Sequence, residues 1–308
     1  MSMGITIVDT ARRALGPVGL FLPFTTAAAA SIDEQRAAVR RLEAAGYRAA
    51  WTNEGVGGKD ALVQLAVLLG ATERMAFGTG IANIWARAPQ VAHGGAAVLA
   101  QAYPDRFVLG LGVGYPAQAE SVGREYGSPL ATVRDYVDRM TAPTQLPAPD
   151  VTYPKVLGAN GPKMLALAGE ITDGAMPAMM PPEFTAQARQ ALGPDKLLIM
   201  GLAVVVDDDR ERARTLAAQT VAGRLGRPES PYGAALIRLG YSAQDVAEPS
   251  DRLVDALIGY GDAAAIAAKV REHLAAGADH VMVMVTGTDF ATGVDQLAQV
   301  GRALAEVS

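Results

Sequence analysis

Three stretches of this chain set out groups that can do chemistry. Arg106 to Gly114 reads R-F-V-L-G-L-G-V-G. Side chains alternate along a strand, so Gly110, Gly112 and Gly114 share one face and Leu109, Leu111 and Val113 the other. One face is therefore bare, which suits either tight filling of a domain interior or a flat ring lying on the backbone. The G-x-G-x-G spacing, followed by Pro116, does not fit a dinucleotide fingerprint. Met75 to Ile84 poses the same choice at Gly78 and Gly80, with polar Thr79 and Asn83 beside them. Ala159, Asn160 and Gly161 lead into a helix with Pro162 in its first turn and Lys163 next. Free amides and the positive helix end can hold a phosphate there, or the segment is an ordinary strand-to-helix loop. Arg87 is a second candidate for an anionic group, against a solvated loop charge. Met176, Met179 and Met180 suit an apolar substrate pocket or a core.

Other chemistries are excluded by what is missing. The chain has no cysteine, so disulfides, thiolate zinc sites and cysteine nucleophiles are ruled out. Its three histidines, His93, His273 and His280, fall in three different elements without a metal-ligand spacing, so no metal site is expected. A net charge of -5 and the lack of a basic stripe interleaved with aromatics argue against nucleic acid. No apolar run approaches the roughly 20 residues that span a bilayer, and Met1 to Arg13 lacks the order of regions of a secretory signal. The expectation is a soluble cytoplasmic protein with a small-molecule substrate and no membrane partner.

The elements that must position these groups follow one repeat: a short β-like apolar run, a few small residues, then a helix with apolar spacing. Strands are expected at Val18 to Pro23, Arg48 to Glu54, Met75 to Ile84, Arg106 to Gly114, Lys155 to Ala159, Gly174 to Ala178, Leu197 to Val206 and Val281 to Val285. Ser31 with Glu34 three residues on is a capping-box signature that opens the first helix of the repeat. Gly123 to Met140 reads as helical, and Phe290 to Val307 as the closing helix. Proline-broken stretches near 115–154 and 224–262 read as irregular insertions, the second built of short helices. Eight strands in such a repeat predict an α/β fold, a single (β/α)8 TIM barrel over residues 1–308, with its chemistry at the C-terminal strand ends. His280 precedes the last strand, at the opposite face, and is read as structural. His93 and His273 are read as packing or solvent-facing.

Four blocks carry a family resemblance: G-T-G-I-A-N-I-W-A-R-A-P-Q (Gly78 to Gln90), A-Y-P-D-R-F-V-L-G-L-G-V-G (Ala102 to Gly114), L-G-A-N-G-P-K-M-L-A-L-A-G-E-I-T-D-G (Leu157 to Gly174) and A-G-A-D-H-V (Ala276 to Val281). In order and spacing the chain resembles the luciferase-like superfamily, and within it the coenzyme F420-dependent oxidoreductases. The resemblance implies a non-prolyl cis peptide at Gly80–Ile81, backing the central ring of a deazaflavin or flavin, with Thr79 and Asn83 beside that ring. It implies ring and side-chain contacts at Gly112, Val113 and Gly114, and a site for the cofactor's phosphate-bearing tail at Ala159, Asn160, Gly161, Pro162 and Lys163. Glu54 matches the acid that closes strand two, and is expected either to exchange a proton or to hydrogen-bond the ring edge. Gly55 stands where relatives often have histidine, and Tyr115 where an acid is expected after strand four. Both departures argue against the sugar-phosphate branch and leave Tyr115 as a candidate proton relay.

What the resemblance implies about function is hydride transfer between F420 and an unidentified small organic substrate. The alternatives are an FMN-dependent monooxygenase, which needs a flavin reductase partner and oxygen, and a barrel that only binds a flavin. The family habit is a homodimer.

Overall fold

The computed structural model describes residues 5–22, 30–225 and 230–305. Pro23, Pro228 and Val307, which the expected first strand, second insertion and last helix include, lie outside these residues. In chain order the elements are α1 Ile7–Leu15, β1 Val18–Phe21, α2 Ile32–Ala44, β2 Ala49–Thr52, α3 Ala61–Leu69, β3 Ala76–Thr79, β4 Ala82–Asn83, α4 Pro89–Ala102, β5 Phe107–Gly112, α5 Pro116–Glu120, α6 Pro129–Met140 and β6 Lys155–Gly158. They continue with α7 Pro162–Ile171, β7 Gly174–Met176, α8 Pro182–Leu192, β8 Leu197–Val206, α9 Arg210–Leu225, α10 Pro231–Arg238, α11 Ala243–Ala247, α12 Asp251–Leu257, β9 Ile258–Gly261, α13 Ala263–Ala275, β10 His280–Val285 and α14 Phe290–Ala305.

Strands β1, β2, β3, β5, β6, β7, β8 and β10 pair in that order, all in parallel, and β10 returns to β1. This is the closed eight-stranded TIM barrel that the repeat predicts. Local chemistry starts its helices where the sequence places them. Ser31 and Glu34 exchange hydrogen bonds as a capping box at α2, and Pro89 and Pro162 each open a helix at a position whose missing N–H is not needed.

The barrel interior is filled by Phe21, Trp51, Val156, Met176, Ile199 and Met282. The bare strand faces are part of this filling. A Cβ on Gly78 would stand 2.1 Å from the Trp51 ring, and one on Gly110 would stand 2.0 Å from the Thr79 carbonyl oxygen. A Cβ on Gly112 would stand 2.6 Å from Ile81 Cδ1. The glycines make room for neighbours within the barrel, which answers the choice the sequence left open. Gly19 does the same for His280, whose Nδ1 lies 2.7 Å from the Gly16 carbonyl oxygen while its Nε2 accepts from Trp51 Nε1 at 3.0 Å. The structural reading of His280 stands.

Four local features differ from expectation. Helix α1 precedes the expected repeat; Val8, Ala11 and Leu15 have helical spacing, and it packs them into the interior cluster. The helix expected over Gly123 to Met140 begins only at Pro129, because Gly123 and Gly127 adopt φ of 68° and 60° and break the chain there. A short helix, α5, opens at Pro116 directly after the glycine run, where the sequence shows only a proline against a dinucleotide fingerprint. Strand β9 emerges at the end of the second insertion. It pairs Ile258 to Gly261 with Ala203 to Val206, the part of the ten-residue β8 that runs past β7, and so satisfies backbone groups left open there. Among the described residues no helix is long and apolar enough to cross a membrane.

Candidate active site

The C-terminal ends of β2, β4, β5 and β6 bring the sequence-predicted residues together. β3 and β4 are one barrel strand interrupted at Gly80–Ile81, where the peptide bond is cis as expected. Gly80 N–H donates to the Thr52 carbonyl at 2.7 Å and Glu54 N–H to the Ile81 carbonyl at 3.0 Å, so the bulge is held by β2 and the loop that follows it. Ile81 then lies over the glycine positions of β5 and β6, close to Gly112 and Gly158. The Thr79 hydroxyl is committed to Gly110, donating to its carbonyl at 2.7 Å and accepting from its N–H at 2.9 Å.

Glu54 is the hub of this end of the barrel. Its carboxylate accepts from Ala61 N at 3.1 Å, from Asn83 N at 3.0 Å, from Arg87 Nη1 at 3.0 Å and from Arg87 Nη2. Four donors occupy the four lone-pair directions of a carboxylate. Arg87 Nη2 also reaches Asp60 Oδ2 at 2.8 Å. The side chains of Glu54 and Arg87 are 2% and 9% exposed. Burial alone depresses the Arg87 guanidinium, but the Glu54 and Asp60 carboxylates outweigh it, and its pKa is raised above the ordinary value. Arg87 is thus an ion-paired residue tying the start of α3 to the turn after β4, not a solvated loop charge.

Asn83 is buried between these elements. Its Oδ1 accepts from Trp85 N at 3.0 Å, and its Nδ2 has no partner. A Cβ on Gly114, whose φ is 59°, would approach Asn83 Nδ2 to 2.8 Å, so glycine there keeps this amide uncrowded. A buried donor without an acceptor is costly, and at a strand end it points to a ligand atom. Trp85 Nε1 donates to the Val113 carbonyl at 2.7 Å and the Tyr126 hydroxyl to the Gly114 carbonyl at 2.9 Å, which fixes the β5 loop. Tyr115 is exposed at the start of α5. Gly55 faces open space, with nothing within 4 Å of a Cβ placed there.

After β6, Asn160 Oδ1 accepts from Ala178 N at 3.0 Å, and Gly161 caps α7 without a side-chain hydrogen bond, leaving its first-turn amides uncapped beside exposed Lys163. Met176 belongs to the interior cluster and Met179 and Met180 to the outer core, so all three serve as core residues. Sequence reasoning missed Trp85, Tyr126 and Tyr136, whose hydroxyl donates to the Arg87 carbonyl at 3.1 Å. It also missed Lys59, whose ammonium is buried without a partner, with its pKa lowered by that burial. Only a three-dimensional view of the loops links them. A cleft of about 610 Å³ opens at the other end of the barrel, between α1 and the segments before β5 and β6. Asp105 and Asp150 are its charged lining residues, and it contains none of the groups above.

A family model for the luciferase-like monooxygenases matches residues 17–280. The chain belongs to the luciferase-like monooxygenase family. Within this luciferase-like chain 252 residues align at 28% identity with a predicted coenzyme F420-dependent oxidoreductase of Mycobacterium tuberculosis, covering 66% of this chain and 72% of the relative. A 5,10-methylenetetrahydromethanopterin reductase of Methanolobus tindarius is 29% identical over 168 residues, 48% of this chain and 51% of that protein, so the match spans about half its length. Among solved structures, an F420-dependent secondary alcohol dehydrogenase bound to an F420–acetone adduct superposes with a TM-score of 0.71 at 17% identity, covering 94% of this chain and 98% of the other. The oxygenating constituent of 3,6-diketocamphane monooxygenase from Pseudomonas putida, bound to FMN, gives 0.70 at 14% identity, with 94% and 98% covered. At these identities the structures share the fold with this luciferase-like protein.

Proposed function

We propose that this luciferase-like protein is an F420-dependent oxidoreductase acting on a small organic substrate. The observation that carries the reading is the unpartnered, buried Asn83 amide at the strand ends beside the Gly80–Ile81 bulge. The sequence relatives named as F420-dependent or as methylenetetrahydromethanopterin reductases support the cofactor class. When bound, the deazaflavin supplies hydride transfer; the protein supplies position and electrostatics. Asn83 Nδ2 donates to the ring, and Ile81 with the Gly112–Gly114 backbone backs it. The uncapped start of α7 at Gly161 and Pro162, with Ala159, Asn160 and Lys163, holds the anionic tail. Glu54 and Arg87 hold the bulge and Asn83 in place. Tyr115 faces the substrate side.

FMN is the second reading, favoured by the likeness to the FMN-bound monooxygenase; it adds a flavin reductase as partner. Fluorescence titration with F420 and with FMN decides between them. The expected result is saturable F420 binding, weakened about tenfold or more in Asn83→Asp, which keeps the acceptor for Trp85 N and removes the donor. Tight FMN binding without F420 binding refutes the cofactor assignment, and binding of neither refutes both. The homodimer stays a proposal, checked by mass in solution.

A further inference from the structure

Helices α3 and α4 pack side by side on the outside of the barrel, and neither Ala61–Leu69 nor Pro89–Ala102 contains a charged residue. Every other helix among the described residues carries at least one. The contrast is plain in the flanking helices of the same layer: α2 exposes Asp33, Arg40 and Arg41, and α6 exposes Asp135, Asp138 and Arg139. Between them the outward face is apolar. Val63 on α3 is 65% exposed, and Val91 and Val98, two turns apart on α4, are 61% and 54% exposed. Gly94 lies between these two valines, with nothing within 4 Å of a Cβ placed on it, while Gly95 lets the helices close up, since a Cβ there would stand 2.9 Å from Leu62 Cδ1. The titratable side chain of the pair, His93, meets the Tyr153 hydroxyl at 2.7 Å, and burial lowers its pKa, so it adds no charge at neutral pH.

A helix that is apolar on its outer face as well as its inner one belongs in a buried setting, and soluble monomers rarely expose such a patch. An apolar centre with a charged rim is the anatomy of a protein interface; a lipid-binding face would carry cations for the headgroups. Charge also selects the partner. A charge-free face buries without loss only against another charge-free face, and among the described helices that face is this one. A two-fold axis through α3 and α4 pairs it with itself. We propose that a second copy of this chain docks on α3 and α4, and that docking steadies the site at the barrel mouth. Both helices begin at the Glu54 cluster. Ala61, the first residue of α3, donates its N–H to Glu54 Oε1 at 3.1 Å, and Asp60, which caps α3, accepts from Arg87, two residues ahead of α4. A partner that holds the two helices therefore holds the donors of Glu54 and, through the bond from Asn83 N, the residue assigned to the ring. The link to cofactor binding rests on the ring site proposed above; the interface does not.

The test is sedimentation equilibrium of the full-length protein over a dilution series, with the mass of a dimer expected. The double variant Val91→Glu, Val98→Glu places carboxylates from both copies in the two-fold contact and should raise the dimer dissociation constant at least about a hundredfold, with unchanged circular dichroism. Val63→Lys repeats the test from α3. Leu146→Glu, at the most exposed large apolar side chain and off this face, should keep the wild-type mass. Hydrogen exchange of the Ala61 and Asn83 amides, which donate to Glu54, reads the second half of the proposal without any cofactor, and should be at least about threefold faster in the dissociated variants. F420 affinity should fall in the same variants. The proposal is overturned if the wild type is a monomer at about 0.1 mM, whether or not it binds phosphatidylcholine vesicles instead. It is equally overturned if the α3 and α4 variants keep the wild-type mass, if Leu146→Glu dissociates as they do, or if the two amides exchange at the wild-type rate. A wild type that dimerises but does not bind F420 refutes the cofactor assignment alone, because mass and exchange are read without it.

Discussion

Replacing Arg87 by methionine decides what Glu54 does. The substitution keeps the length of the side chain and its packing but removes the guanidinium, leaving a carboxylate that is 2% exposed with only the Ala61 and Asn83 amides. Breaking a buried pair by removing one partner costs about 3–5 kcal/mol, because the other charge stays buried. Unfolding gains roughly 2.1 cal/mol/K of entropy per residue, or about 0.65 kcal/mol/K for a chain of this length, so Arg87→Met should melt about 5–8 °C below the wild type. Asp60→Asn is the internal control. Asp60 is 46% exposed, and asparagine is as good a helix cap, so loss of that outer ion pair should cost no more than about 1 kcal/mol, or about 1.5 °C. The assay is scanning calorimetry of the three proteins, alongside F420 titration. If Glu54 is a clamp, the melting temperature and F420 affinity fall together in Arg87→Met. An Arg87→Met protein that melts with the wild type refutes the clamp and returns Glu54 to the list of proton-exchanging groups.

Two other outcomes follow from the packing. Gly110→Ala would drive a Cβ to 2.0 Å from the Thr79 carbonyl, a backbone atom that cannot step aside, so the variant should lose at least about 3 kcal/mol or fail to yield soluble protein; Gly55→Ala, with nothing within 4 Å, should melt within about 1 °C of wild type. Equal melting of the two alanine variants would contradict this account of the bare strand face. Burial lowers the His280 and His273 pKa values to about 4, so between their unfolded value near 6.5 and about 4 the unfolded chain binds protons that the folded one refuses. Stability should therefore drop as pH falls through this window, by up to about 3 kcal/mol for each histidine. Urea midpoints that stay constant from pH 7 to pH 4.5 would refute it.

The barrel was legible because its signals are local. A capping box at Ser31, a helix-opening proline at Pro89 and Pro162, and eight apolar runs each fix an element within a few residues of themselves, and closure follows from their number. The errors share one cause. Helix α1 has only nine residues and stands before the first strand of the repeat; β9 is defined by the overhang of β8, which no residue of β9 announces. The resemblance points to Glu54, Asn83 and Gly114, and the structure brings the three to one end of the barrel. The Glu54–Arg87 pair was not legible, because the 33 residues between the two carry no mark of their meeting.

That difference bears on how function is divided over the molecule. The residues around Glu54 come from the barrel's own strand ends and hold each other: Glu54 takes its donors from α3, from the backbone of β4 and from Arg87, while the buried Asn83 Nδ2 and Lys59 Nζ stay without partners. Four donors on the Glu54 carboxylate leave it little freedom to move. Tyr115 is exposed and Gly55 faces open space. Changes at Glu54, Asn83 or Arg87 should therefore weaken binding of the F420 proposed above, and titrations unchanged in all three would refute this account of the cluster.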